Sequence, residues 1–434
     1  MTNKRQSLLQ KDTIGRTLFL VFIYFLFLYP FKIPGLPFGT VIPIIVVFAV
    51  IALCSLIDFR KYGKMKTTKM VKQYWGWNLF LVLYVLLLLL TFGSGNGITP
   101  IRDYVNILII LPAFYISGQF VFNDVEDLMR ILYIGVIIQS VIIIAALLIP
   151  ALSLALFQLI PEGGFNSDNF GGVDMITKYG YHVGLGVFAS AGSLRMAIGQ
   201  VGAFYYLITN RGNRLFIHLI TYLLISIATS LVSRTGLVVS VVGLFFVLYT
   251  KGKTSRKRVW RYISLLLFTL LIGYTIVVNT FTSDFLRETF QRYSDTAEKG
   301  IYDTYFKGYT GEGGSNSIPP ISTETIIGLG ITYGTSGTGV TTITDGGFLR
   351  NYSAMGLIVA IINYVIIACF FKRQYKMSNY LEYKGVILFL SFIFIIGEFK
   401  EYFLYYISPI CFLFLIFCMM ERTENINIPV RKTQ

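Results

Sequence analysis

The sequence predicts an all-α, polytopic membrane protein of about 12 transmembrane helices with two long external loops. Three observations predict it. Of the 434 residues, 55% are apolar and 16% aromatic, but only 14% are charged; a soluble domain carries about 25% charged residues. The apolar residues fall in runs near the length of about 20 that a bilayer-crossing helix needs. The basic residues, which give a net charge of +15, sit in short clusters between those runs, as in cytoplasmic loops of membrane proteins. This composition excludes an ordinary soluble enzyme and a disordered chain, and the clustering argues against a nucleic-acid partner.

In order, apolar runs occupy 17–30, 40–57, 76–93, 101–119, 128–149, 195–209, 215–230, 235–250, 262–280, 351–371, 384–397 and 402–420. The first run lacks a small-residue cleavage site after it and is read as a retained span. Pro30, Pro34, Gly35, Pro37 and Gly39 exclude regular helix over 30–40 and predict a tight external turn. With the N-terminus inside and alternating spans, the inside segments hold 26 of the 37 Lys and Arg and eight of the 22 acidic residues. The outside is then net negative, which predicts both termini in the cytoplasm. An odd number of spans would put two basic clusters on opposite sides.

Two external segments are long: 150–194 and 281–350. Long connections in compact proteins are usually functional. The second opens with Ser283 to Tyr293, where Phe285, Phe290 and Tyr293 recur near helical spacing, as in a surface-lying amphipathic helix. The whole chain, 1–434, reads as a single transmembrane domain without internal repeats or the paired broken helices of many transporters.

Charges near apolar runs cost about 2.5–3.5 kcal/mol each at a bilayer centre, so they point to function. Arg234 in Ser-Leu-Val-Ser-Arg-Thr-Gly236 has almost no solvated loop around it. Its guanidinium presents a planar fork that suits phosphate; the alternative is snorkelling to lipid headgroups. Arg195 and Arg350 stand where the long loops re-enter the bilayer, and interface anchoring is the alternative for each. Asp345, five residues before Arg350, suits orienting that arginine or accepting a proton from a substrate hydroxyl. Arg102 has its own neighbour, Asp103, as an ion-pair partner. Glu398 and Glu401 flank Lys400 in a very short external turn and either face the same cavity or are simply solvated.

Other chemistry finds little support. Cys54, Cys369, Cys411 and Cys418 form no CxxC pair, and His182 and His218 make no ligand motif. No acidic cluster has metal-ligand spacing, and the Tyr333 to Gly339 run lacks the Lys-Ser/Thr ending of a phosphate loop. Neither a metal nor a cofactor is expected.

Val-Ser-Arg234-Thr-Gly-Leu, followed by an apolar span, resembles the Ser-Arg-Thr/Ser-Gly-Leu signature of the O-antigen polymerase and ligase superfamily. Thr-Ile-Ile-Gly-Leu-Gly330 is similar to that family's Gly-x-Gly step. Asp345-Gly-Gly-Phe-Leu-Arg350 through Gly356-Leu-Ile is similar to its re-entry motif, and Arg292 in Phe-Gln-Arg-Tyr to its early loop arginine. The ordered set covers about residues 190–375. The resemblance implies a GT-C-like membrane glycosyltransferase of the bacterial cytoplasmic membrane. Its donor and acceptor would be glycans linked to undecaprenyl pyrophosphate, and its companions a flippase and a chain-length regulator. Ligases of the superfamily carry a loop histidine where this chain has Asp345, which favours the Wzy-type polymerases of O-antigen, capsule or exopolysaccharide. The implied catalytic residues are Asp345, Arg234 and Arg350, with Arg195, Arg102, Arg292 and Glu398 binding pyrophosphate or glycan. The alternatives are ligase-like transfer of finished glycan to another acceptor, or a lipid-linked-glycan flippase or transporter.

Overall fold

The computed structural model describes residues 14–32, 41–62, 69–92, 98–160, 184–187, 189–210, 213–251, 256–257, 260, 263–264, 321–332, 334–336, 341–342 and 346–431. These residues are almost wholly helical. The helices are α1 (Ile14–Leu28), α2 (Val41–Tyr62), α3 (Lys69–Phe92), α4 (Ile98–Val121), α5 (Val125–Leu148), the short α6 (Pro150–Gln158), α7 (Ala189–Thr209), α8 (Asn213–Val232) and α9 (Arg234–Thr250). After them come the one-turn α10 (Thr323–Ile327), then α11 (Gly347–Met377), α12 (Leu381–Lys400) and α13 (Ile407–Arg431). A two-residue antiparallel ladder joins Gly334–Thr335 to Thr341–Thr342. Helices thus occupy eleven of the twelve predicted apolar runs; the run 262–280 lies almost entirely outside the described residues.

Five described helical stretches are long and apolar enough to cross a membrane: Lys69–Phe92, Thr99–Val121, Val125–Leu148, Arg214–Val232 and Gly347–Met377. Their outer faces carry Leu83, Leu87, Ile109, Val141, Ile217, Ile358 and Val365, all exposed. In water such faces would be costly; against lipid they are at home, and the chain is therefore read as a membrane-embedded helical bundle.

The bundle is organised around α7, which packs against α5, α8, α9 and α12. Small residues make this possible. A Cβ on Gly202 would come within 2.6 Å of both the Met129 carbonyl oxygen and the Tyr133 nitrogen, so glycine lets α7 reach the α5 backbone. A second group forms around α4, which packs against α2, α3 and α13. Residues Ile410 to Met420 of α13 are buried without interruption, and aromatic side chains such as Phe27, Phe48, Phe114 and Phe412 interlock there edge to face.

One helix breaks the regular pattern. At Gly356, inside α11, the backbone leaves the helix with φ 80° and ψ 164°. Only glycine adopts such a conformation without strain. The break is covered by the stretch after α10: the Leu329 and Gly330 N–H groups donate to the Ser353 and Ala354 carbonyls at 2.7 and 3.1 Å. The Tyr352 hydroxyl donates to Thr325 Oγ1 at 2.8 Å, and Tyr84 donates to the Ile327 carbonyl. The predicted span 351–371 thus falls on two helical pieces, a short one carrying Arg350 and a long apolar one. Gly356 sits inside an apolar run that looks continuous, so hydropathy does not mark the break.

Candidate functional site

Arg234 owes its place to a one-residue break. The chain leaves α8 at Val232, passes through extended Ser233 (φ −158°, ψ 156°) and restarts as α9 at Arg234. The turn is closed by the Gly236 N–H donating to the Ser233 carbonyl at 3.0 Å. The Ser233 hydroxyl pairs with the Ser193 hydroxyl at 2.7 Å, which joins this break to the first turns of α7. Arg195 follows two residues on. The serine pair therefore brings the α8–α9 corner and the start of α7 to the same end of the bundle.

The link from α12 to α13 meets them there. The Arg195 guanidinium lies 5.4 Å from the centre of the Tyr406 ring, a cation–π distance, and the buried Arg195 Nε has no hydrogen-bond partner among the described residues. The Tyr406 hydroxyl donates to Glu401 Oε2 at 3.1 Å. Arg350, on the short piece of α11, is within electrostatic reach of Tyr406 and of Asp103. Asp103 is bonded to the exposed Arg102 at 3.2 Å. Arg102, Arg195, Arg234 and Arg350, far apart in sequence, thus belong to one end of the bundle.

Of the two readings left open for Glu398, a cavity-facing carboxylate or a solvated turn residue, the solvated one does not hold. It lies in the last turn of α12 and is only 2% exposed. Its carboxylate accepts from Asn351 Nδ2 at 3.1 Å, from the Tyr364 hydroxyl at 2.8 Å and from the Leu404 N–H. All three donors are neutral. Gly347, at the start of α11, packs directly on Glu398 and on the Glu401 carbonyl, where a Cβ would clash at 2.4–2.5 Å. Phe348 adds edge-to-face contact with Phe399 at 4.9 Å. Glu398 therefore holds the Arg350-bearing piece onto the end of α12 rather than presenting a free carboxylate. The linker that follows, Tyr402 to Tyr406, forms a single 3-10 turn at Phe403–Tyr405, with Tyr402 and Tyr104 hydroxyls paired at 3.1 Å.

Asp345, Arg292 and His182 lie outside the described residues. His218 sits at the opposite end of the bundle, its ring Nδ1 3.0 Å from the Tyr133 hydroxyl. Among the described residues, no group of three or more His, Cys, Asp or Glu is placed to hold a metal ion. Sequence reasoning missed Asn351, Tyr364, Tyr406 and the serine pair. The cluster Tyr402, Tyr405, Tyr406 directly after Glu398 and Glu401 was the available signal. Paired serines preceding two arginines carry none, because Ser193 and Ser233 meet only across helices.

Planar guanidinium forks beside aromatic faces are chemically suited to phosphate groups. No protein-family model matches the chain, and no curated protein sequence matches it.

Proposed function

We propose that the chain is a membrane glycosyltransferase that polymerises oligosaccharide repeat units carried on undecaprenyl pyrophosphate, at the outer face of the bacterial cytoplasmic membrane. The observation that carries this reading is the gathering of Arg195, Arg234 and Arg350 at one end of a lipid-facing bundle, bridged by Ser193–Ser233 and Tyr406. The motif resemblance around Arg234, Gly330 and Arg350 adds the reaction class.

The reaction needs three things. An acceptor sugar hydroxyl attacks the anomeric carbon of the donor, the bond from that carbon to the phosphate oxygen breaks, and undecaprenyl pyrophosphate leaves with its charge. Fixed guanidinium groups stabilise that developing charge without a metal ion. The hydroxyl proton passes to a carboxylate, the role assigned to Asp345. The transition state has oxocarbenium character, by analogy with glycosidases. Arg292 and Arg102 then assist donor binding from the loop and from the rim, and Glu398 acts by holding Arg350 in place.

The interruption of α11 at Gly356 favours a second reading, a transporter of lipid-linked glycans, since broken helices mark many transporters. One assay separates the two. Purified protein given only lipid-linked repeat units is expected to build a ladder of longer products, and EDTA is expected to leave that rate within about twofold, since arginine takes the cation's place. A protein that moves lipid-linked glycan across vesicles but makes no ladder is a transporter. One that transfers glycan only when a different acceptor is supplied is a ligase.

A further inference from the structure

Some 14 residues along α7 from Arg195, about 21 Å at the helical rise, a second site opens at the other end of the bundle. It is a cavity of about 500 Å³ lined by Glu126, Tyr205, Tyr206, Thr209, Arg214 and His218, among others. Three helices build it: the first turn of α5, the last turn of α7 and the first turn of α8. Its charges are of both signs. Glu126 and Arg214 are both exposed, and one cation and one anion share the lining. The walls are aromatic: Tyr206 stacks on the His218 ring at 5.3 Å, and Tyr133 packs on Tyr206 at 5.1 Å. The flank on α8 is apolar and outward-facing, with Phe216, Ile217 and Ile220 exposed at 41%, 60% and 44%. On a membrane-crossing helix that flank meets acyl chains.

We propose that this cavity binds the headgroup of a zwitterionic phospholipid bearing a primary ammonium, a phosphatidylethanolamine, with its tails along Phe216, Ile217 and Ile220. Each part of the lipid has a matching surface. The phosphate takes the Arg214 guanidinium, which offers a two-point grip. The ammonium takes the Glu126 carboxylate, to which it can donate. The Thr209 hydroxyl oxygen adds an acceptor for a group with three N–H donors; the Asn210 carbonyl is already taken by the Lys251 ammonium at 2.6 Å. A quaternary choline has none of these donors. An anionic glycerol headgroup brings no cation for Glu126, so its phosphate is drawn by Arg214 while the carboxylate repels it. The site is independent of glycosyl transfer, which the opposite end would perform.

The test is lipid retention by the purified full-length chain in native mass spectrometry, with phosphatidylethanolamine, phosphatidylcholine and phosphatidylglycerol of matched tails. Phosphatidylethanolamine is expected to be retained about fivefold better than either of the others. Glu126→Gln is expected to erase the preference over phosphatidylcholine, and Arg214→Gln to lower retention of all three. Both residues are exposed, and a thermal-unfolding midpoint equal to wild type confirms that each variant is folded. Equal retention of the three lipids, a preference for phosphatidylglycerol, or a preference that survives Glu126→Gln overturns the proposal. A further arm adds free phosphoethanolamine. If the tail-less headgroup displaces the lipid at equal concentration, the ligand is a soluble zwitterion and the assignment to a lipid fails.

Discussion

Two groups of arginines, one at each end of the bundle, meet different partners. At the end carrying Asp127, Arg16 is buried and bonded to both carboxylate oxygens of Asp127 and to the Val121 carbonyl. Arg130 also holds Asp127, at 2.9 Å, and Arg422 donates to the Gln119 and Phe122 carbonyls at 2.9 and 3.1 Å. These guanidinium groups tie helix ends together. At the other end, the most buried carboxylate, Glu398, is satisfied by neutral donors alone, and Arg195 rests on an aromatic face with its Nε unmatched. Arg16 and Arg422 are structural ties, whereas Arg195 rests on a ring with no carboxylate bonded to it among the described residues.

The comparison can be broken most simply by finding the ends reversed. In a chain whose four native cysteines are replaced, new cysteines at Ser167 and Ser315 are expected to react fully with an impermeant thiol reagent in intact cells, and one at Ser255 not at all. Labelling at Ser255 from outside would put the tied arginines on the face assigned to the substrate.

The next largest effect is expected at Arg234 and Arg350. Arg234→Lys and Arg350→Lys keep the charge but lose the planar fork, and each is expected to slow ladder formation by about 10²–10³, roughly 2.7–4 kcal/mol, by analogy with removing an oxyanion donor. Membrane levels of the protein stay at wild type. Asp345→Asn is expected to slow transfer with little effect on donor binding, and Arg292→Lys to be milder than either. Near-normal ladders from both Arg234→Lys and Arg350→Lys would reduce the two ends to the same structural role.

Arg16→Met sharpens the contrast from the other side. It strips one partner from a buried ion pair, which typically costs about 3–5 kcal/mol; the lower figure applies because Arg130 still holds Asp127. The readout is a lower unfolding midpoint with the ladder rate per folded molecule unchanged. Glu398→Gln falls between the two classes. The amide keeps the volume but puts an NH2 donor where an oxygen accepts from Asn351, Tyr364 or Leu404, at a cost of about 1–3 kcal/mol, and loosens the seat of Arg350. Ladder rate should fall more than stability does, with pyrophosphate-lipid affinity following the rate. Loss of stability alone would make Glu398 purely structural.

The smallest effect is expected at Arg102. Its pair with Asp103 is exposed on the arginine side, at 60% of the side chain, and such pairs contribute about 0–1 kcal/mol. Arg102→Ala should leave the unfolding midpoint unchanged and weaken donor binding less than tenfold.

Composition and periodicity alone determined that this chain is a helical membrane protein, because about 20 apolar residues in a row have few stable homes other than a bilayer. The segments became helices where the apolar runs stand, and Arg234 was legible because a charge squeezed between two such runs has no loop to occupy. Hydropathy counts residues along the chain and is blind to what crosses it. It therefore left Glu398 open between a cavity-facing group and a solvated turn residue, though Asn351, Tyr364 and Leu404 enclose it, and it ran straight through Gly356, whose break is stabilised by Leu329 and Gly330 from another segment. The Ser193–Ser233 bond and the seat of Arg195 on Tyr406 were likewise decided by tertiary packing. Each is a contact between residues at least 40 positions apart, and a hydrogen bond or ring contact of that reach leaves no periodic trace in the sequence.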